Sequence, residues 1–363
     1  MIKDIMNMKM LRRIALLLPI FPIFFLMAGC VSKKPSENNY VMFPAPPDEP
    51  RIQYLWSFGS ETDLGGRGRF NEFVVGEEKI YRPIVKPYGV AIRNGKIYVC
   101  DTQAGNVSIS DLKTRRMRYI KPVGQAAMKL PICVAVDDNE NIYVTDTGRE
   151  QVLVYDQQGN LLHTLGQKGE MKPAGIALYQ NQIYLADARN SAVRVYDKTT
   201  RELLRTFPQN ETDEKKRLFV PTNVAIDSKG QVVVSDSGGF AAKIYDSEGQ
   251  HVRTLGALGV TPGTFAMPKG VGVDGEGRIY VLDAAVPVIQ LFDAEGRLLM
   301  YFGQPQSSGP GGLWLPAGLA VDRDNLSFFN KFVAPGYKLE YVILVTNQIG
   351  PNKVSVYGFI TKI

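Results

Sequence analysis

Six prolines, Pro87, Pro131, Pro173, Pro221, Pro268 and Pro316, each stand two residues ahead of a short apolar run. Examples of these runs are Gly89-Val90-Ala91-Ile92, Cys133-Val134-Ala135-Val136 and Gly175-Ile176-Ala177-Leu178. The prolines are spaced 44, 42, 48, 47 and 48 residues apart. A second run, rich in Val, Ile and Tyr, follows each first one. In five of the six units it ends on an aspartate: Asp101, Asp146, Asp187, Asp236 and Asp283. The sixth unit has Thr346-Asn347 there.

The unit of residues 130–166 shows what each repeat contains. Apolar runs at 134–137, 142–145, 152–155 and 161–165 are separated by turn residues, among them Asp138-Asn139-Glu140-Asn141 and Asp156-Gln157-Gln158-Gly159. Runs of four or five β-branched and aromatic residues bounded by Asn, Asp and Gly are strand chemistry. Each unit is therefore a four-stranded antiparallel meander with no helix to cover it. A period in the forties with four strands per unit predicts an all-β, six-bladed β-propeller. Runs such as Val232-Val233-Val234 are apolar on both sides, as expected where neighbouring blades cover both faces.

The repeats, of the form P-x-G-V-A-V-D, I-Y-V-x-D and V-x-V-Y-D, resemble the NHL repeats of six-bladed β-propellers, over roughly residues 52–360. One departure concerns an Asn and an Arg that the family places three and five residues after the strand-ending Asp. This chain has Arg149 and Gln151, Asn190 and Ala192, and Val286 and Val288 at those positions, so a ligand site built on that Arg does not carry over.

The last repeat has strands near residues 318–321, 341–346 and 353–359 and then ends. Its fourth strand is expected from residues 52–58, whose Phe58-Gly59 matches the fourth-strand ends Leu165-Gly166, Leu255-Gly256 and Phe302-Gly303. Closing a ring in this way removes exposed sheet edges.

Ahead of the propeller, Lys3, Lys9, Arg12 and Arg13 precede a 14-residue apolar run, residues 14–27, interrupted by Pro19 and Pro22. The run is short for a membrane span and fits an export signal over residues 1–29. Met27-Ala28-Gly29-Cys30 resembles a bacterial lipobox, which implies lipidation of Cys30 and attachment to a membrane through acyl chains. Val31, where an inner-membrane retention signal would place Asp, points to the outer membrane of the cell envelope. Residues 30–50 are polar and Pro-rich and read as a tether, with the propeller at 51–363.

Without the four basic residues and one acidic residue of the first 29, 38 basic residues face 35 acidic ones. A charge so near balance, behind an export signal, argues against nucleic acid as a partner.

The turns between first and second strands and between third and fourth strands are mostly short and share one face. The longer loops, residues 60–86, 209–219, 257–266 and 304–314, lie on the other. Binding residues concentrate on long loops held by a rigid scaffold. On that face the channel mouth is expected to be ringed by the residue after each proline: Tyr88, Ile132, Ala174, Thr222, Lys269 and Ala317. Arg149 and Arg189 are expected to add charge at the rim. The exception to the loop asymmetry is an insertion at 323–340, carrying Phe328, Phe329, Phe332 and Tyr337. It is expected as a self-packed plug or flap over the channel from the short-turn side, with a partner site as the alternative.

The five strand-ending aspartates could form a Ca²⁺ ring, but Asp before Ser, Thr, Ala or Gly more commonly binds nearby backbone N–H groups. No cofactor is predicted, with Ca²⁺ left open. The only histidines, His163 and His251, fall on fourth strands, the outermost of a blade. The antibiotic-opening and amidating lyases that the resemblance brings in use His on the loop face. Cys100 and Cys133 could pair in an oxidising envelope or remain buried thiols. The leading reading is a binding scaffold for a protein, peptide or glycan. The alternative is a metal-dependent hydrolase or lyase with its site at the channel mouth.

Overall fold

The computed structural model describes residues 40–65 and 82–363. Cys30, the export signal and the first part of the tether lie outside the described residues, as does the middle of the 60–86 loop. The described chain is a ring of six antiparallel sheets, a six-bladed β-propeller. The first repeat contributes Pro87–Arg93, Lys96–Asp101, Asn106–Asp111 and Arg116–Ile120, and the next four repeats follow the same plan. Each repeat proline is the first residue of its innermost strand, where a missing N–H costs nothing to the ladder.

The sixth sheet is composite. Pro316–Asp322, Tyr337–Asn347 and Val354–Lys362 are joined by Ile52–Phe58, which pairs antiparallel with the strand at 354–362 as expected. A further short strand, Met42–Phe43, pairs with Ile52–Phe58. The packed unit therefore begins at Tyr40 rather than at residue 51, and half of the expected tether belongs to the propeller. The reason is apolar: the Phe43 ring lies 6.2 Å from that of Phe302 and 6.4 Å from that of Tyr357.

The core is divided into six apolar clusters, one at each seam between blades. Strands such as Ile142–Asp146 and Val232–Asp236 are buried along their whole length because each sheet is covered on both sides. Near the long-loop face the inner strands approach so closely that only glycine fits at some positions. A Cβ on Gly89 would fall 2.5 Å from the Cys133 Cα, and one on Gly318 would fall 2.2 Å from the Tyr88 carbonyl oxygen.

The insertion at 323–340 does not plug the channel. It packs into the outer part of the seam between blades six and one. Phe329 is buried there, and Phe332 stacks on Trp56 at 6.0 Å with rings nearly parallel. The Gly95 N–H donates to Asn325 Oδ1 at 2.7 Å, and Gln53 Nε2 donates to the Phe332 carbonyl at 2.7 Å. Aromatic side chains flanked by an apolar seam bury more area there than they would over a narrow channel.

Candidate binding face

The strand-ending aspartates are anchors for the loops of the long-loop face. Asp146 accepts backbone N–H bonds from Lys129, Leu130, Gly148 and Arg149 at 2.6–3.0 Å. Asp101 does the same for Val85, Lys86, Gln103 and Ala104, and Asp283 for Ala266, Met267, Ala285 and Val286. In the sixth blade Asn347 Oδ1 replaces the carboxylate, accepting from the Trp314 N–H at 2.9 Å. Each of these carboxylates thus spends its lone pairs on the loop that enters the first strand and the loop that leaves the second, which fixes the loop stems. Among the described residues, no group of three or more His, Cys, Asp or Glu side chains stands together as a metal ligand set.

The long loops are held again from the third strands. Lys243, almost wholly buried, donates to the carbonyls of Glu214 and Arg217 and lies 3.5 Å from Asp236. Arg194 bridges Asp187 and Glu170, each at 2.8 Å. Gln290 donates to the Thr264 carbonyl at 2.8 Å and accepts from the Gly263 N–H at 2.6 Å. These side chains occupy one position, seven residues after the strand-ending Asp, so the repeat that builds the blade also builds the loop clamp.

Of the ring residues, the structure brings Tyr88 and Lys269 into contact. The Lys269 ammonium lies 5.2 Å from the Tyr88 ring centroid. The two belong to blades one and five, and Ala317 of the intervening blade is small and buried. Burial, with repulsion from Lys86, lowers the pKa of the Lys269 ammonium. Burial pushes the Tyr88 phenol up to about 12, so it stays protonated at neutral pH. Thr222 joins a hydroxyl chain: its Oγ1 lies 3.1 Å from Ser235 Oγ and 3.2 Å from Ser237 Oγ, and Ser237 donates to the Pro268 carbonyl at 2.8 Å. Ile132 packs against the seam of blades two and three.

Arg149 and Arg189 are not free at the rim. Arg149 donates to the carbonyls of Gln125 and Ala127, and Arg189 is ion-paired with Glu150. Both arginines tie loops together.

The ring position also joins the blades, a role that the repeat pattern does not reveal. The carbonyl oxygens of Tyr88, Ala174 and Lys269 accept hydroxyl bonds from Thr346, Thr145 and Ser235 of the preceding blades. Each donor stands just before the strand-ending Asp or Asn. A second ring was also missed. The residue before each repeat proline is Lys86, Leu130, Lys172, Val220, Met267 or Leu315. Leu130, Val220 and Met267 are 40%, 43% and 39% exposed, unusually open for large apolar side chains at matching positions. The signal, an apolar or basic residue before Pro in all six units, is readable in the chain.

The central channel, about 290 Å³, is lined by inner strands of all six blades, with Val90, Leu178, Ile226 and Val273 among its walls. It runs from the level of Cys133 and Asn223 towards the short-turn ends of those strands. Tyr88 and Lys269 do not line it; they stand on the long-loop side of the tight glycine level. His163 and His251 lie on the fourth strands Leu161–Leu165 and His251–Leu255, away from that pair. Burial lowers the pKa of both. Cys100 and Cys133 are free and buried, and burial raises both thiol pKa values.

No protein-family model matches this chain. Among solved structures, a catalytically inactive virginiamycin B lyase from Staphylococcus aureus, with quinupristin, is similar at TM-score 0.52 and 13% identity. The match covers 76% of this chain and 95% of that one. The nidogen/laminin complex gives TM-score 0.53 at 18% identity, covering 62% of this chain and 83% of that one. A structural-genomics protein of unknown function from Bacteroides thetaiotaomicron gives TM-score 0.57 at 15% identity, with 86% and 76% covered. At such identities the likeness is one of fold, and it agrees with the propeller seen here.

Proposed function

We propose that this chain is a lipid-anchored NHL-type propeller of the bacterial cell envelope, acting as a binding scaffold through its long-loop face. The observation that carries this reading is the pairing of Tyr88 and Lys269 at the centre of a face whose loops are clamped from below. A rigid face binds without first having to order its own loops. The exposed Leu130, Val220 and Met267 around the pair supply apolar contact area, as binding surfaces do. The nidogen/laminin structure is a complex that contains a similar fold, which agrees with a scaffold role. Its partner class here is a protein, peptide or glycan.

Anchoring rests on Cys30. Nine residues separate it from Tyr40, the first described residue, and a fully extended chain of that length spans at most about 35 Å. The propeller would then work close to the membrane.

Two measurements test this. Metabolic labelling with a tagged fatty acid should mark the parent chain and not Cys30→Ala; an unlabelled parent, or a label kept by the variant, would remove the anchor. Crosslinking on envelope preparations should then capture a partner that Val220→Glu, on the long-loop face, no longer retains. Retention of the same partner by that variant, with loss on changing the exposed short-turn residue Asp138, would move the site to the opposite face.

A further inference from the structure

We propose that the Lys269–Tyr88 pair is a carboxylate-recognition site for a partner polypeptide. This deepens the binding-scaffold reading above and rests on it.

The argument starts from an unbalanced charge. The Lys269 ammonium is partly buried against the Tyr88 ring, yet among the described residues it has no ion pair and no hydrogen-bond acceptor. Its one resolved electrostatic neighbour is another cation, Lys86, and burial and that neighbour both disfavour the charged form. A cation held over an aromatic face gains some stabilisation, but far less than a desolvated ammonium gives up. Asp101 and Asp283, which close the second strands of the blades that carry Tyr88 and Lys269, cannot swing in to balance it, because each is committed to four backbone N–H groups. The Tyr88 hydroxyl likewise has no hydrogen-bond partner among the described residues and remains protonated at neutral pH. One ammonium and one phenol O–H side by side supply the donors that a carboxylate accepts.

The surroundings narrow the class further. Lys86 stands in the next ring outward and acts on Lys269, so the local field favours an anion. Phosphate recognition commonly uses an arginine fork, but Arg149 is bound to carbonyls and Arg189 is paired with Glu150. The remaining exposed ring positions, Leu130, Val220 and Met267, are apolar. A carboxylate carried among apolar side chains describes a polypeptide better than an acidic sugar.

The test uses the mature chain with ¹³C-dimethylated lysines, the Lys269 signal being assigned from Lys269→Met. Four probes are titrated: N-acetyl-Leu-Val-Phe with a free carboxylate, its C-terminal amide, the amide of N-acetyl-Leu-Asp-Phe, and oligogalacturonate. The expected result is that a carboxylate-bearing peptide moves the Lys269 signal and the neutral amide does not. Lys269→Met should weaken binding at least tenfold with an unchanged melting temperature. Response to the free C-terminus alone identifies a chain end, and response to the aspartyl peptide identifies an acidic side chain. Equal binding of the neutral amide, a response to oligogalacturonate only, or no response to any probe overturns the proposal. If the crosslinked envelope partner is lost on Val220→Glu but kept by Lys269→Met, the face stands as the binding face and carboxylate recognition falls. If both variants keep it, both readings fall.

Discussion

Lys243 Nζ lies 3.5 Å from Asp236 Oδ2, and neither side chain is exposed to solvent by more than about 2%. The pair links the third strand of blade four to the end of the second, and through the carbonyls of Glu214 and Arg217 it reaches the 209–219 loop. Burial lowers the Lys243 pKa while Asp236 opposes the shift, so the ammonium depends on its partners. Lys243→Ala should cost about 3–5 kcal/mol, because it leaves a buried carboxylate and two carbonyls short of a donor. Urea unfolding measures this. Lys243→Met, which keeps the packing, should behave almost as badly, since the stranded charge and not the lost volume sets the cost. A change under 1 kcal/mol in both variants would show that water replaces the ammonium.

Closure of the ring makes the amino-terminal strand indispensable. Ile52, Leu55 and Phe58 are buried in the seams on either side of blade six. A chain beginning at residue 60 loses all three, at about 1.5–3 kcal/mol each, which together rivals a whole domain's stability. It also leaves Val354–Lys362 as an open apolar edge. Such a chain is expected to be insoluble or to melt without cooperativity. A chain beginning at residue 51 loses only the Met42–Phe43 strand and should still fold, with a lower melting temperature. A cooperative transition in the shorter chain would contradict the closure argument.

Trp56 lies between Phe58, 4.8 Å away, and Phe332, 6.0 Å away. Phe332→Ala should remove one side of that stack, move the tryptophan emission to longer wavelength, and cost about 1–2 kcal/mol. Lys269 is on the opposite face, so its response to ligands should not change. Loss of binding in this variant would point to coupling between the two faces.

The blade count, the strand order and the closing strand were legible because six Pro-anchored units of four short strands, apolar on both sides, leave one way to bury both faces of every sheet. The contact of Tyr88 with Lys269 was half legible. Their shared ring position was plain, but their meeting depends on the small Ala317 between them. Arg149 and Arg189 were read as charge at the rim, yet their partners are carbonyls and a carboxylate on loops whose paths leave no periodic trace. The insertion at 323–340 was misplaced for the same reason. Its aromatics said that it would pack, and only the position of Trp56 and Gly95 in the folded ring says where. The Met42–Phe43 strand escaped notice because Pro-rich composition suggested a tether, while one pair of apolar residues was enough to add an edge strand.

Acid should weaken the short-turn face through its Asx turns. Asp156 accepts the N–H groups of Gln158 and Asn160 and the Asn160 side-chain amide, all at 2.8–2.9 Å. Asp197 accepts the N–H groups of Thr199 and Thr200 at 2.7–2.8 Å. The Asn160 amide, foremost, lowers the Asp156 pKa, and the Thr200 N–H does the same for Asp197. A carboxylate with a lower pKa folded than unfolded binds protons more weakly in the native state. Its contribution is therefore complete above the unfolded value of about 3.9 and is lost as pH falls through the native one. Carboxyl ¹³C titrations should place both midpoints below 3.8, the ordinary aspartate value. The double variant Asp156→Asn with Asp197→Asn should lose less stability than the parent chain between pH 5.5 and pH 3, because these two groups no longer titrate. Midpoints at or above the ordinary value, with the same pH slope in both chains, would show that these turns do not hold their carboxylates ionised and that the acid sensitivity arises elsewhere in the ring.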